Sequence, residues 1–413
     1  MKILHVAHGY SPSVGGTQTM VQQISERLVA DYGDEVTVFT TVAYNNAYFW
    51  DRSQPALSPG TEWINGVKVV RFAVFNRFGR WRLNLARVAH KLRLPGEDWL
   101  RGMYFGPIVP GLTQTISKSS AQVIMASAFP LLHMHNALAG GQRAGIPVTY
   151  MGALHTTDPW CFERKMIYDA IARCDAYFAL TAYERDYLVK RNIGSDKIKL
   201  VGAGIDLRPY QTADRQSARQ HFGWGDELVI ATVARHLPHK RLDVLIKAMG
   251  SVWASVPDAR LVIAGIHGRH TPELEALMKQ YPAAQQHRIT LLKDITQDDK
   301  VQVMMGCDVF AMLSSHEAFG LVFLEAWACG KPVIAANIGA LPSVVQDGVD
   351  GILVDYDNPQ ATADAIIRLW QQPELRESMG HAGRAKVEQH YTWDIVTRAF
   401  RETYEYAVDK HKE

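Results

Sequence analysis

Short apolar runs alternate with stretches of helical periodicity along the whole chain. KILHVA (2–7), EVTVFT (35–40), VKVVRF (67–72), AQVIMA (121–126) and PVTYMG (147–152) predict strands in the first half. LVIATVA (228–234), ARLVIAG (259–265), ITLLK (289–293), DVFAML (308–313) and PVIAAN (332–337) predict strands in the second. Helical spacing covers Thr17–Ala30, Leu242–Val256 and Pro359–Trp370, among others. The strands are almost continuously apolar, so both faces should be covered, as in parallel sheets flanked by helices. Asn65-Gly66 between two strand-like segments predicts a local hairpin. The pattern restarts near residue 226, which places a linker near 205–225. Two α/β halves with a crevice between them is the simplest architecture. Ligands of such sheets bind beyond the carboxyl ends of the strands.

Composition narrows the class. The chain has 413 residues, 47% hydrophobic and 21% charged, which is ordinary for a globular protein and long enough for two domains. A net charge of +2, from 44 basic and 42 acidic side chains, excludes a nucleic-acid-coating polycation. Cys161, Cys174, Cys307 and Cys329 are irregularly spaced and are expected to be reduced thiols of a cytoplasmic protein. The opening MKILHVAHGYSPSVGG lacks the long apolar stretch of a signal peptide, and no run of about 18 apolar residues predicts a membrane span.

Three stretches carry candidate chemistry. In YSPSVGGTQTMVQQI a strand meets a Pro/Gly turn, and a helix begins near Thr17. Gly15 and Gly16 allow close backbone approach, and the helix N-terminus behind them favours an anion. It is neither a dinucleotide fingerprint nor a P-loop. In VIATVARHLPHK, Arg235 follows a core strand and Lys240 lies at the mouth of a helix carrying Leu242, Leu245, Ile246 and Met249. A rigid fork and a point charge at a strand's carboxyl end suit a diphosphate. In HEAFGLVFLEA, Glu317 precedes a helix predicted from about Leu321 to Ala328, and Glu325 sits within it. Both carboxylates suit sugar or ribose hydroxyls, or a structural network with Arg235 or Lys240; the stretch alone leaves both readings open.

Together ARHLPHK, EAFGLVFLEAWACGKPVIA and GALPSVVQDGVDGILV resemble the retaining glycosyltransferases of family 4, which have the GT-B fold. The family's hallmark is two glutamates separated by seven residues, and Glu317 and Glu325 fit it. SVGGT, IARCDAYFALTAYERDYL, KLVGAGID and YTWDIVTRAFRETYEY are also similar to family segments, so the likeness spans nearly the whole chain and is strongest over 228–356.

The resemblance implies two Rossmann-like, doubly wound parallel-sheet domains facing a central cleft. Residues 1–205 would bind the acceptor and 206–390 the nucleotide-sugar donor, with 391–413 crossing back to the first domain. By the same resemblance, Arg235 and Lys240 hold the donor diphosphate, Glu325 binds the ribose, and Glu317 reaches the donor sugar. The amides of Phe319, Gly320 and Leu321 assist Glu317, Gly15 and Gly16 approach the phosphates, and the base lies near Lys293, Asp294 and Ile295. His155 in VTYMGALHTTD matches the family's N-domain histidine, with His133 and His135 as nearby alternatives. Such enzymes retain configuration on one sugar face and work without a metal. The sequence itself shows no His/Cys ligand cluster. No cofactor is expected beyond a UDP- or GDP-linked sugar. The partners implied are that donor and a glycan or lipid-linked acceptor of envelope or polysaccharide synthesis, with no nucleic acid.

Ala203, Ala234, Arg241, Ala318 and Ser343 depart from the family pattern, which leaves the donor sugar open. Two rivals stand beside transfer: a nucleotide-sugar epimerase of the same fold, and a non-catalytic scaffold.

Residues 71–101 hold eight basic side chains against two acidic ones. Trp81, Leu85, Val88 and Leu92 recur at helical spacing, and Arg80, Asn84, Arg87 and Lys91 line another side, with Arg82 between. The pattern fits either a surface helix packing its apolar stripe on its own domain, or one docking on an anionic membrane surface. The second reading would make the protein peripheral on the inner face of the cytoplasmic membrane.

Overall fold

The computed structural model describes residues 1–412. The chain forms two compact units, Met1–Gly204 together with the segment from Trp393, and Ile205–Thr392.

The first unit holds β1 (Lys2–Ala7), β2 (Glu35–Thr41), β3 (Gly60–Ile64), β4 (Val67–Phe72), β5 (Val123–Ser127), β6 (Val148–Met151), β7 (Ala176–Ala179) and β8 (Ile198–Leu200). Their order is β3-β4-β2-β1-β5-β6-β7-β8. All neighbours run parallel except β3 and β4, a hairpin turned at Asn65 (φ 48°) and Gly66 (φ 81°). Two successive residues at positive φ match the twist of the strands they join. The β3 strand is almost wholly exposed and closes the sheet as an edge.

The second unit holds β9 (Val229–Val233), β10 (Arg260–Gly265), β11 (Ile289–Lys293), β12 (Val309–Met312), β13 (Val333–Ala336) and β14 (Gly351–Val354). The order β11-β10-β9-β12-β13-β14 is parallel throughout. Every residue of β9, β12 and β13 is buried, which explains their unbroken apolar character. The helix Leu242–Ser255 buries eight side chains, including Leu242, Leu245, Ile246 and Met249.

In each sheet the strand order reverses at one strand, β1 in the first unit and β9 in the second. The carboxyl end of such a strand is where open α/β sheets bind ligands. The loops carrying Gly15–Gly16 and Arg235–Lys240 leave from these two strands.

The segment 205–225 is not a linker, contrary to its polar composition. Helix Arg215–His221 buries Ala218 and Arg219, and Trp224 is buried beside it. The Arg219 guanidinium donates to the carbonyls of Gly225 (2.7 Å), Glu227 (2.6 Å) and Gly306 (3.0 Å). A fully satisfied buried arginine reads as a surface charge in sequence. The chain crosses between units at Gly204–Ile205 and Thr392–Trp393. The closing helix Trp393–Lys410 packs in the first unit: Phe400 stacks on Phe178 at 4.0 Å, and the Tyr404 hydroxyl meets His5 Nε2 at 3.0 Å.

Candidate functional site

In the second unit, β9 and β12 are neighbours in parallel register, with Ala231 opposite Phe310. Their chains therefore leave the sheet at the same edge. The two loops are tied there, since the Ser315 amide donates to the His239 carbonyl at 2.8 Å. The tie brings Lys240, at the end of the short 3-10 turn Pro238–Lys240, against Glu317. The Lys240 ammonium donates to Glu317 Oε1, and both side chains are mostly enclosed, with 18% and 12% of their surface exposed. Arg235 lies exposed two residues beyond β9 and forms no ion pair among the described residues. A strand-end guanidinium without an acid partner is available to an anion.

Beyond Glu317 the chain turns at Gly320 (φ 90°, ψ 62°) into the helix Leu321–Ala328. A side chain there would be strained by its backbone, and its Cβ would lie 2.7 Å from the Phe323 ring. The helix has no side-chain cap, and the amides of Phe319, Gly320 and Leu321 donate to no backbone carbonyl. They supply donors at the positive end of the helix. Phe319 itself is buried against Tyr391, with ring centroids 5.4 Å apart.

Glu325, one helical turn further on, is paired with Lys300 of the helix Gln297–Gly306, not with Arg235 or Lys240. Lys300 was not legible as a site residue, because 25 positions and a separate helix divide the pair. The other oxygen, Glu325 Oε2, is buried, and the Tyr210 hydroxyl is a hydrogen-bonding neighbour of the carboxylate. Burial and then the Glu325 charge hold the Tyr210 phenol above its ordinary range.

Asp294 and Ile295 follow β11, at the same edge of the sheet. Asp294 adopts φ 54° and accepts from the His267 amide at 3.1 Å, with His267 Nδ1 2.7 Å from its second oxygen. Lys293 is paired with Glu275.

In the first unit, Gly16 opens the helix Gly16–Tyr32, and no side chain caps its N-terminus. Gly15 is extended (φ 173°), but a Cβ there would lie 2.4 Å from Gln18 Oε1. His155 follows β6 and is half-buried, its ring 5.5 Å from that of Phe162. The preceding Ala153 has φ 49°, and the Leu154 amide donates to the buried Glu184 at 3.1 Å. Glu184 also accepts from the Tyr177 hydroxyl (2.6 Å) and the Leu180 amide (2.8 Å), so it frames the loop that bears His155. Burial raises the Glu184 carboxyl above its ordinary range.

The other two histidines are more deeply enclosed than His155. His133 is buried with Nε2 2.5 Å from the Ser127 carbonyl, and burial pushes its pKa down to about 4. His135 is wedged against Trp99 and Phe129 and is likewise pushed down to about 4 by burial.

The basic stretch forms the helix Gly79–Lys91. Trp81, Leu85, Val88 and Leu92 are exposed, as are Arg80, Arg87 and Lys91. The apolar stripe therefore does not pack on its own domain. Arg82 departs from the expected outward face: its guanidinium turns inward to the carbonyls of Met103 (2.9 Å) and Phe49 (2.6 Å). Among the described residues no helix is long and apolar enough to cross a membrane.

Residues 14–208 match the family model for glycosyltransferase family 4, and residues 214–386 match that for glycosyl transferases group 1. A D-inositol 3-phosphate glycosyltransferase of Actinosynnema mirum is 35% identical over 59% of this chain and 60% of its own length. A GDP-mannose-dependent monoacylated alpha-(1-6)-phosphatidylinositol monomannoside mannosyltransferase of Corynebacterium glutamicum is 33% identical over 47% of this chain and 52% of its own length. The chain thus spans between half and three fifths of these curated relatives. Among solved structures, Anabaena HepE in complex with UDP and glucose superposes with a TM-score of 0.71 at 20% identity, over 98% of this chain and 99% of its own. Sucrose-phosphate synthase from Thermosynechococcus elongatus gives 0.71 at 19% identity, over 98% of both chains. These likenesses establish the fold, two parallel-sheet α/β domains of the GT-B type.

Proposed function

This chain belongs to glycosyltransferase family 4, and from that premise we propose that it moves a hexose-type sugar, with retention, from a nucleotide-sugar to an acceptor hydroxyl. The acceptor is a glycan or a lipid-linked glycan of envelope or polysaccharide synthesis. The observation that carries the reading is the pairing of Lys240 with Glu317 beyond the carboxyl ends of β9 and β12, with Arg235 following β9.

The proposed roles follow from the chemistry of each group. The leaving nucleoside diphosphate gains negative charge as the glycosidic bond breaks. Arg235 presents a fork to one phosphate and Lys240 a point charge to the other, the role a divalent cation fills elsewhere. With Lys240 drawn to phosphate, Glu317 is released toward the sugar hydroxyls, helped by the amides of Phe319, Gly320 and Leu321. The Glu325 carboxylate accepts from the ribose. The acceptor hydroxyl attacks the anomeric carbon on the face the diphosphate leaves, and its proton passes to the departing phosphate oxygen. Glu317 is then no hydrolase-type nucleophile. The first unit serves the acceptor, with His155 as its candidate catalytic group and Gly15–Gly16 as its close-approach turn. Asp294 and Ile295 lie on the base side of the donor site. No cofactor takes part.

The donor is UDP- or GDP-linked; the HepE complexes hold UDP and UDP-glucose, and the mannosyltransferase relative is GDP-mannose-dependent. Thermal unfolding with UDP, GDP and ADP tests the assignment, since a ligand of the native state raises its melting temperature. One nucleotide is expected to stabilise the second unit. No shift with any of the three contradicts the reading. A new sugar-nucleotide epimer formed from donor alone would favour the epimerase.

A further inference from the structure

The helix Gly79–Lys91 is divided lengthwise into three stripes. Gly79, Ala86 and Ala89 are buried, so the small residues face the body of the unit. Trp81, Leu85, Val88 and Leu92 project into solvent with 77%, 54%, 53% and 61% of their surface exposed. Arg80, Arg87 and Lys91 are exposed on the third stripe. With 3.6 residues per turn, the apolar and basic stripes lie side by side on the outward half. Phe78, 65% exposed, opens the helix in the left-handed conformation (φ 62°), and exposed Leu94 and Trp99 follow it.

The local charge is one-sided. Of the basic side chains in 71–101, Arg71 and Arg101 are buried and paired, and Arg82 is turned inward. Arg77, Arg80, Arg87, Lys91 and Arg93 remain exposed. Both acids of the stretch are engaged, Asp98 with Arg101, and Glu97 with Arg101 and His90. Asp51 lies within electrostatic range of Arg80. The outward surface is thus an apolar ridge edged by cations.

From this surface we infer that the helix Gly79–Lys91 docks the first unit on an anionic lipid surface, with Trp81, Leu85, Val88 and Leu92 in the headgroup–acyl boundary and Arg80, Arg87 and Lys91 on the lipid phosphates. An indole is suited to that boundary, being apolar in body and polar at one edge. Antiparallel two-fold pairing with a second copy would set each basic stripe beside its counterpart, whereas an anionic surface meets every cation of the stripe with opposite charge. The apolar ridge supplies burial and the cations supply attraction to an anionic leaflet, a combination that neither a bare basic patch nor a bare apolar patch offers.

Co-sedimentation of the full chain with vesicles tests this without donor or acceptor, so its outcome is separate from the glycosyl-transfer reading. Phosphatidylcholine vesicles with about one third phosphatidylglycerol are expected to bind the chain, pure phosphatidylcholine weakly, and higher salt to weaken binding. Trp81→Ser with Leu85→Ser should lower binding by tenfold or more. Arg80→Gln, Arg87→Gln and Lys91→Gln should each lower it by about fivefold. Val88→Ser with Leu92→Ser repeats the apolar test if the first pair lowers the melting temperature. Three results would overturn the inference: no binding to anionic vesicles, equal binding to both compositions, or apolar variants that bind like the parent. A dimer in analytical ultracentrifugation that Leu85→Ser dissolves would assign the ridge to self-association instead.

Discussion

The Lys240 ammonium is ion-paired with the Glu317 carboxylate across two loops that leave neighbouring strands at the same sheet edge. Each group supplies counter-charge to the other. In the proposed cycle a diphosphate replaces Glu317 as the partner of Lys240, and the carboxylate turns to the sugar. Both groups stay neutralised throughout, as a mostly enclosed site requires.

Lys240→Ala is expected to lower nucleoside diphosphate release by about a hundredfold to a thousandfold, the usual effect of removing one preorganised electrostatic donor. Steady-state release by the purified variant checks this. Glu317→Gln, which keeps the shape and removes the charge, should lower turnover while leaving bare nucleotide binding within a few-fold of the parent.

Glu325→Gln should weaken nucleotide binding by about tenfold or more, because a hydrogen bond to a charged group is worth about 1.5–3 kcal/mol. The discriminating ligand is a nucleotide lacking the ribose hydroxyl that Glu325 accepts from. The parent should lose affinity for the deoxy form, and the variant should bind both forms alike. Lys300→Met should weaken the same contact, since the Glu325 carboxylate is held by that ammonium.

Glu184→Ala should cost several kcal/mol of stability, because it leaves the Leu154 and Leu180 amides and the Tyr177 hydroxyl buried without an acceptor. Glu184→Gln should recover part of the loss, as an amide oxygen still accepts. Urea unfolding of the three proteins gives the ranking, and turnover of the Gln variant reports how far the loop bearing His155 depends on this frame.

Acid should destabilise the first unit. Burial lowers His5 and His8 to about 3, and His133 and His135 to about 4. Each is neutral when folded and takes up a proton on unfolding below its ordinary value near 6.5. Their stabilising effect is therefore present above about pH 6.5 and is lost as pH falls toward 4, by up to about 1.4 kcal/mol per pH unit for each. Glu184 has the opposite sign, since its raised pKa favours the folded state most on the acid side of its window. Four histidines outweigh it, so the melting temperature should drop steeply between pH 6.5 and 4.5.

Much of this was legible in the chain because burial writes itself in composition. The unbroken apolar runs of β9, β12 and β13 are buried on both faces, and Asn65-Gly66 turns the predicted hairpin. The edges were less visible. The edge strand β8 has only three residues, too few for periodicity to speak. Side-chain partnerships across elements were not legible at all. Lys300 looks like a solvated lysine until the fold sets it beside Glu325, and Arg219 like a linker arginine until three carbonyls surround it. For the helix Gly79–Lys91, spacing revealed the stripes but not which one faces inward. The small side chains of Ala86 and Ala89 decide that, by letting the backbone approach the unit closely.

Isothermal titration of the parent and of Lys240→Ala with UDP and GDP tests the central claim most directly. The account predicts that one nucleotide binds the parent and that the variant binds it at least tenfold more weakly. Equal affinity in the two proteins would contradict the exchange of Glu317 for a diphosphate at Lys240.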